Sequence, residues 1–161
     1  MIKNSLYYAK ILLFGEYGII EDSMGLSIPY HFFKGNFDFA TNPNEVQANS
    51  NRSIREFTSH LESLSQSGKL PCALDLDRLT ADIDAGLYFD SSIPQGFGVG
   101  SSGALVAALY AKYSLNPVLQ SDVMEGNNLK QLKSTLAALE SFFHGKSSGL
   151  DPLICYLNLP I

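Results

Sequence analysis

The sequence predicts an α+β domain. Short apolar runs of strand character and stripes of apolar residues at helical spacing alternate along the chain. They do so without the regular strand–helix–strand repeat of a doubly wound sheet. The 161 residues suit one domain with a real core, and no internal repeat or linker divides them.

Residues 9–14 (AKILLF) form a short apolar run closed by Gly15 and read as a buried strand. Residues 25–30 and 36–40 read as two further strands, and the Asn- and Pro-containing residues 41–50 as a loop. Residues 51–66 place Ile54, Phe57, Leu61 and Leu64 at helical spacing, and Gly68 ends that helix. Residues 75–85 predict a short helix with Leu76, Leu79 and Ile83 inward, and residues 87–93 a strand. A Gly-rich loop over 94–103 leads into a helix of small residues reaching about Tyr113. The best-formed helix spans 129–143, where Leu129, Leu132, Leu136, Leu139 and Phe143 recur every three or four residues. The apolar residues 150–161 read as strand-like. A terminus this apolar, with no polar tail, leads to the expectation of a longer protein truncated here.

Hydrophobic residues make up 45% of the chain and charged residues 17%, the balance of a soluble globular domain. The formal net charge is -5, with no Lys/Arg cluster to displace counterions, which argues against nucleic-acid binding. An acidic domain of this kind binds phosphate through backbone N–H groups, a helix N-terminus or a metal ion. Cys72 and Cys155 stand in no metal-ligand spacing and read as reduced thiols. With no signal-peptide pattern and no apolar run of membrane-spanning length, a cytoplasmic protein without membrane association is expected.

Three segments carry chemistry. In the first, Pro94-Gln95-Gly96-Phe97-Gly98-Val99-Gly100-Ser101-Ser102-Gly103-Ala104, alternate glycines free the backbone N–H groups to turn inward, and two serines open a helix. That combination makes an anion cradle. Residues 98–103 also match the dinucleotide fingerprint G-x-G-x-x-G, but Pro94 separates the strand from the turn and no first βαβ unit surrounds it. The only Gly-Lys-Ser, at 145–147, has Glu140 where a Walker loop needs its opening glycine.

The second segment runs from Glu140 through His144-Gly145-Lys146-Ser147-Ser148-Gly149-Leu150-Asp151. Glu140 lies four residues beyond Leu136, at the edge of the apolar stripe. There it either reaches solvent or is buried beside a cation, and Mg2+ favours one or two carboxylates plus substrate oxygens. Gly145 ends the helix, and a tight turn presents Asp151, a residue type equally at home in a turn before proline. Residues 145–149 match the hydrolase elbow G-x-S-x-G, yet a helix precedes them and no histidine follows. In the third segment, Ala9-Lys10-Ile11-Leu12-Leu13-Phe14-Gly15-Glu16-Tyr17, a lysine heads an apolar strand, a position that usually faces solvent.

Together the segments resemble the GHMP kinases. Residues 94–104 are similar to the family's phosphate loop P-x-x-x-G-L-G-S-S-A-A, with Val99 for Leu and Gly103 for the first Ala. Residues 9–17 resemble G-K-x-I-L-x-G-E-H, with Ala9 for Gly and Tyr17 for His. Residues 144–151 resemble H-G-x-P-S-G-x-D of the mevalonate kinase branch, with Ser147 for Pro.

The resemblance implies a mixed sheet packed against helices, here the N-terminal ATP-binding domain over residues 1–161, without the family's ferredoxin-like C-terminal domain. It implies Asp151 as catalytic aspartate with Lys10 as its partner. Pro94, Gly96, Gly98, Gly100, Ser101, Ser102, Gly103 and Ala104 would cradle ATP, Glu140 and Ser102 would hold Mg2+, and Glu16 and Tyr17 would lie near the acceptor. The implied reaction moves the γ-phosphate of ATP to a hydroxyl, with mevalonate the leading acceptor. The alternatives are a related acceptor such as phosphomevalonate, or a nucleotide-binding module without turnover. The implied partner is a small-molecule substrate, and a homodimer is among the expectations.

Overall fold

A computed structural model describes residues 5–15 and 25–161. Three strands form one sheet in the order β1 (Tyr7–Phe14), β2 (Leu26–Phe39), β3 (Leu87–Ser91), both pairings antiparallel. The sheet is therefore antiparallel throughout the described residues, not mixed. The reason lies in the connection between β2 and β3: two helices, α1 (Glu45–Gln66) and α2 (Leu76–Asp84), return the chain to the end of the sheet that it left. The Ala40 N–H donates to the Gly86 carbonyl at 3.0 Å, so β3 starts beside the end of β2.

The two strands expected over 25–30 and 36–40 are one continuous strand. Its register against β1 jumps between Tyr8, opposite Lys34, and Ala9, opposite Tyr30. His31, Phe32 and Phe33 bulge out at that point, and the bulge breaks the alternation that marks a strand. The loop expected over 41–50 is also corrected, because α1 begins at Glu45. Asn44 accepts from the Gln47 N–H at 2.9 Å and its own N–H donates to Gln47 Oε1 at 3.0 Å, a capping box that turns an Asn-rich stretch into a helix start.

The remaining helices are α3 (Ser101–Tyr113), α4 (Asn128–His144) and α5 (Leu150–Leu157). Residues 150–157 were expected to be strand-like and are helical. Pro152 sits in the first turn, where its missing N–H has no intrahelical acceptor to lose. Every residue from Pro152 to Leu157 is buried, so the run is apolar all round and carries no period that separates helix from strand.

The helical stripes predicted for α1, α2 and α4 form the core: Ile54, Phe57, Leu61, Leu79, Ile83, Leu132, Leu136 and Leu139 are at most 2% exposed. Phe57 of α1 stacks on Phe142 of α4, ring centroids 5.1 Å apart. α3 is buried on nearly all sides and packs against β1, β2, α4 and α5, which makes it the axle of the domain. Among the described residues no helix is long and apolar enough to cross a membrane.

Candidate functional site

The site forms where the start of α3, the start of α5, the end of α4 and the middle of β1 converge. The Lys10 N–H donates to the Val99 carbonyl at 2.9 Å, stitching β1 to the Gly-rich loop. Gly100 then caps α3 with φ +85°, a left-handed conformation. A Cβ there would stand 2.9 Å from Lys10 Cγ, so a side chain would meet both strain and a neighbour. No side chain caps α3, which leaves its first N–H groups to solvent or to a ligand. Gly103, read as part of the loop, lies within α3. A Cβ on it would be 2.9 Å from the backbone of Asp151 and Pro152, so this glycine sets how closely α5 approaches α3.

Lys10 is buried, 7% exposed, contrary to the solvent-facing position usual for a strand-heading lysine. Its Nζ lies 2.8 Å from Asp151 Oδ1, and the Asp151 side chain keeps 35% of its surface exposed. The lysine is thus anchored from below while the carboxylate faces outward, beside the helix start. An ion pair with one partner buried and the other open can present its carboxylate to a ligand without losing its own fixed geometry.

Glu140 is 3% exposed, so of its two readings burial is the one realised. Ser102 Oγ donates to its Oε1 at 3.1 Å and Ser147 Oγ to its Oε2 at 2.5 Å. His144 Nε2 is 2.8 Å from Ser102 Oγ. With the Ser102 proton on Glu140, His144 must carry its hydrogen on Nε2. Burial pushes the Glu140 carboxyl above its ordinary range and nearby Asp151 adds to this, while the two serine hydroxyls and His144 pull in the opposite direction without cancelling the rise. Two carboxylates and one ammonium share this corner, and a cation would relieve the imbalance.

The donor set is carboxylate and hydroxyl oxygen, which suits Mg2+. Among the described residues no three His, Cys, Asp or Glu side chains gather into a metal cluster. An ion here would therefore depend on ligand oxygens as well as on Glu140 and Ser102. The neighbouring Cys155 is buried under Gly100, with its thiol pushed up by burial and by Asp151 and Glu140, which leaves it an inert packing group.

Of the residues expected at the site, Lys10, Gly100, Ser102, Gly103, Glu140 and Asp151 come together, with Ser101 and Ala104 on the same turn of α3. Pro94, Gly96 and Gly98 form the loop leading in, with Gly96 and Gly98 exposed. Glu16 and Tyr17 lie outside the described residues. His144 and Ser147 had no assigned role, yet both join the hydrogen-bond network. Ser147 lies beyond Gly145, which ends α4, so helical spacing from Glu140 carried no signal for it. Cavities of about 510 and 520 Å³ lie elsewhere, one beside α1 and the end of α2, the other beside Lys112. Neither is lined by the Gly-rich loop.

An uncapped helix start behind a Gly-rich loop, with a carboxylate–lysine pair beside it, is an arrangement suited to an anion such as a phosphate. Residues 70–158 match the family model of the GHMP kinases N terminal domain. The match covers more than half of the chain, and the protein belongs to the GHMP kinases, a family of ATP-dependent phosphotransferases. No curated protein and no solved structure matches the chain. The matched span leaves out β1, so Lys10 joins the site through the fold alone.

Proposed function

We propose that this chain binds ATP on the loop over residues 94–104 and transfers its γ-phosphate to a hydroxyl, with mevalonate as the acceptor. The observation that carries the reading is the Lys10–Asp151 ion pair, 2.8 Å long, at the rim of the loop that begins α3. Phosphoryl transfer asks for positioning and charge neutralisation more than for covalent help. The N–H groups at the start of α3 would bind phosphate oxygens. Glu140 and Ser102 would hold Mg2+, which supplies charge neutralisation on the phosphates when bound.

In the transfer, the acceptor oxygen forms a bond to the γ-phosphorus as the bond from that phosphorus to the β,γ-bridging oxygen breaks, releasing ADP. Asp151 orients the acceptor hydroxyl and takes its proton late in the step. Lys10 holds Asp151 in place and balances charge on the moving phosphoryl group.

The mevalonate assignment rests on the likeness of residues 144–151 to H-G-x-P-S-G-x-D. ADP release measured with a panel of alcohols tests it. Release that requires mevalonate supports the assignment, and equal turnover with an unrelated alcohol overturns it. Tight ATP binding with no turnover on any alcohol would favour a nucleotide-binding module.

A further inference from the structure

Ser147 occupies the turn between α4 and α5, and its hydroxyl has two partners. It donates to Glu140 Oε2 at 2.5 Å and accepts from the Gly149 N–H at 3.0 Å. Its single proton is committed to the carboxylate, so the amide must use an oxygen lone pair. Gly149 is itself held hard. Its φ is +75°, and a Cβ on it would come within 2.3 Å of the Lys133 carbonyl and 2.9 Å of Ala137 Cβ. It caps α5, and Asp151 follows in the first turn.

Glu140 is thereby gripped at both oxygens. Ser102 of α3 holds Oε1, and Ser147 of the α4–α5 turn holds Oε2. A buried carboxylate held at only one oxygen could rotate about its terminal torsion, which is broad. Two hydroxyls from different elements fix that plane.

We infer that Ser147 is a positioning residue, which orients the Glu140 carboxylate for a divalent cation and ties it to the turn that presents Asp151. The inference rests on the reading of Glu140 as the cation's carboxylate. It assigns a role to a side chain that stands where the resembling pattern has proline, which has no hydroxyl to give.

The test uses Mn2+ as a paramagnetic stand-in for Mg2+, titrated into the chain with ATP and followed by electron paramagnetic resonance. Ser147→Ala should weaken Mn2+ uptake by about tenfold or more, the usual effect of removing a partner of a metal-binding group. Metal-free ATP affinity should stay close to wild type, while the melting temperature falls because the buried Glu140 oxygen and the Gly149 N–H lose their partner. Ser147→Thr, which keeps the hydroxyl, should restore Mn2+ uptake.

A merely structural turn residue would instead lower metal-free ATP affinity together with Mn2+ uptake, and that result overturns the proposal. So does unchanged Mn2+ uptake in Ser147→Ala while Glu140→Gln abolishes it, an outcome that leaves the reading of Glu140 standing. Mn2+ uptake that survives Glu140→Gln, or that is lacking in the wild-type chain, overturns that reading and the proposal with it.

Discussion

Lys10 Nζ and Asp151 Oδ1 lie 2.8 Å apart, joining a buried lysine of the first strand to an aspartate in the first turn of the last helix. Asp151→Asn keeps an oxygen for Lys10 to donate to, so the fold should survive. Turnover should fall by roughly 10²–10⁴-fold, the range for a lost general base. ATP affinity should barely change. Lys10→Met should lower turnover to a similar degree, and the double variant should cost far less than the product of the two, because the pair acts as a unit. Steady-state kinetics on the four proteins checks this. Near wild-type turnover in Asp151→Asn would leave Asp151 as a turn residue only.

Gly100 is the tightest point of the loop. Gly100→Val forces a β-branched residue to φ +85° and drives a Cβ to within 2.9 Å of Lys10 Cγ. ATP binding should be lost while circular dichroism still reports the helices. Calorimetry showing wild-type ATP affinity in the folded variant would sink the assignment of the loop as a phosphate cradle.

Gly103→Ala tests the seam between α3 and α5. The resembling loop pattern has alanine at this position, yet here a Cβ would press on the backbone of Asp151 and Pro152 at 2.9 Å. Backbone cannot rotate aside as a side chain can, so α5 must shift. Overpacking of this kind costs about 1–3 kcal/mol. The melting temperature should drop and turnover should fall with it, since Asp151 rides on α5. A variant with unchanged melting and kinetics would show that the two helices separate at no cost.

Glu140→Gln should trade metal binding for stability. Burial raises the Glu140 carboxyl, so the folded state holds its proton to higher pH than the unfolded chain does. Between those two values the folded protein binds more protons, and its stability falls as pH rises. The window starts in the ordinary glutamate range and runs upward. Gln carries no charge to desolvate. The variant should therefore melt higher than wild type above that window in the absence of metal, and its melting temperature should change less across it. Mg2+-dependent ATP binding should weaken at the same time. Thermal scans at several pH values check the first part and calorimetry with and without Mg2+ the second.

Much of the domain was legible in the sequence because the signal was local. The apolar stripes of α1, α2 and α4 repeat at helical spacing, and their central residues are the buried core. The Gly-rich turn and the helix start at Ser101 were legible for the same reason, since glycine conformation and helix initiation act through neighbouring residues.

Other features depended on contacts between segments distant in sequence. Residues 152–157 are buried on every side because four elements enclose them, so no periodicity could reveal a helix. The bulge at His31, Phe32 and Phe33 hid the continuity of β2, because strand register is a property of the pair and not of one strand. Lys10 is buried only because Asp151 arrives from the far end of the chain to pair with it. The grip of Ser102 and Ser147 on Glu140 follows from the way α3 meets the end of α4 and the turn beyond it. Sequence determined, through local spacing, the helical stripes and the Gly-rich turn that opens α3. Tertiary structure alone decided which charges are buried and which partners satisfy them, because desolvation and ion pairing depend on neighbours that only folding supplies.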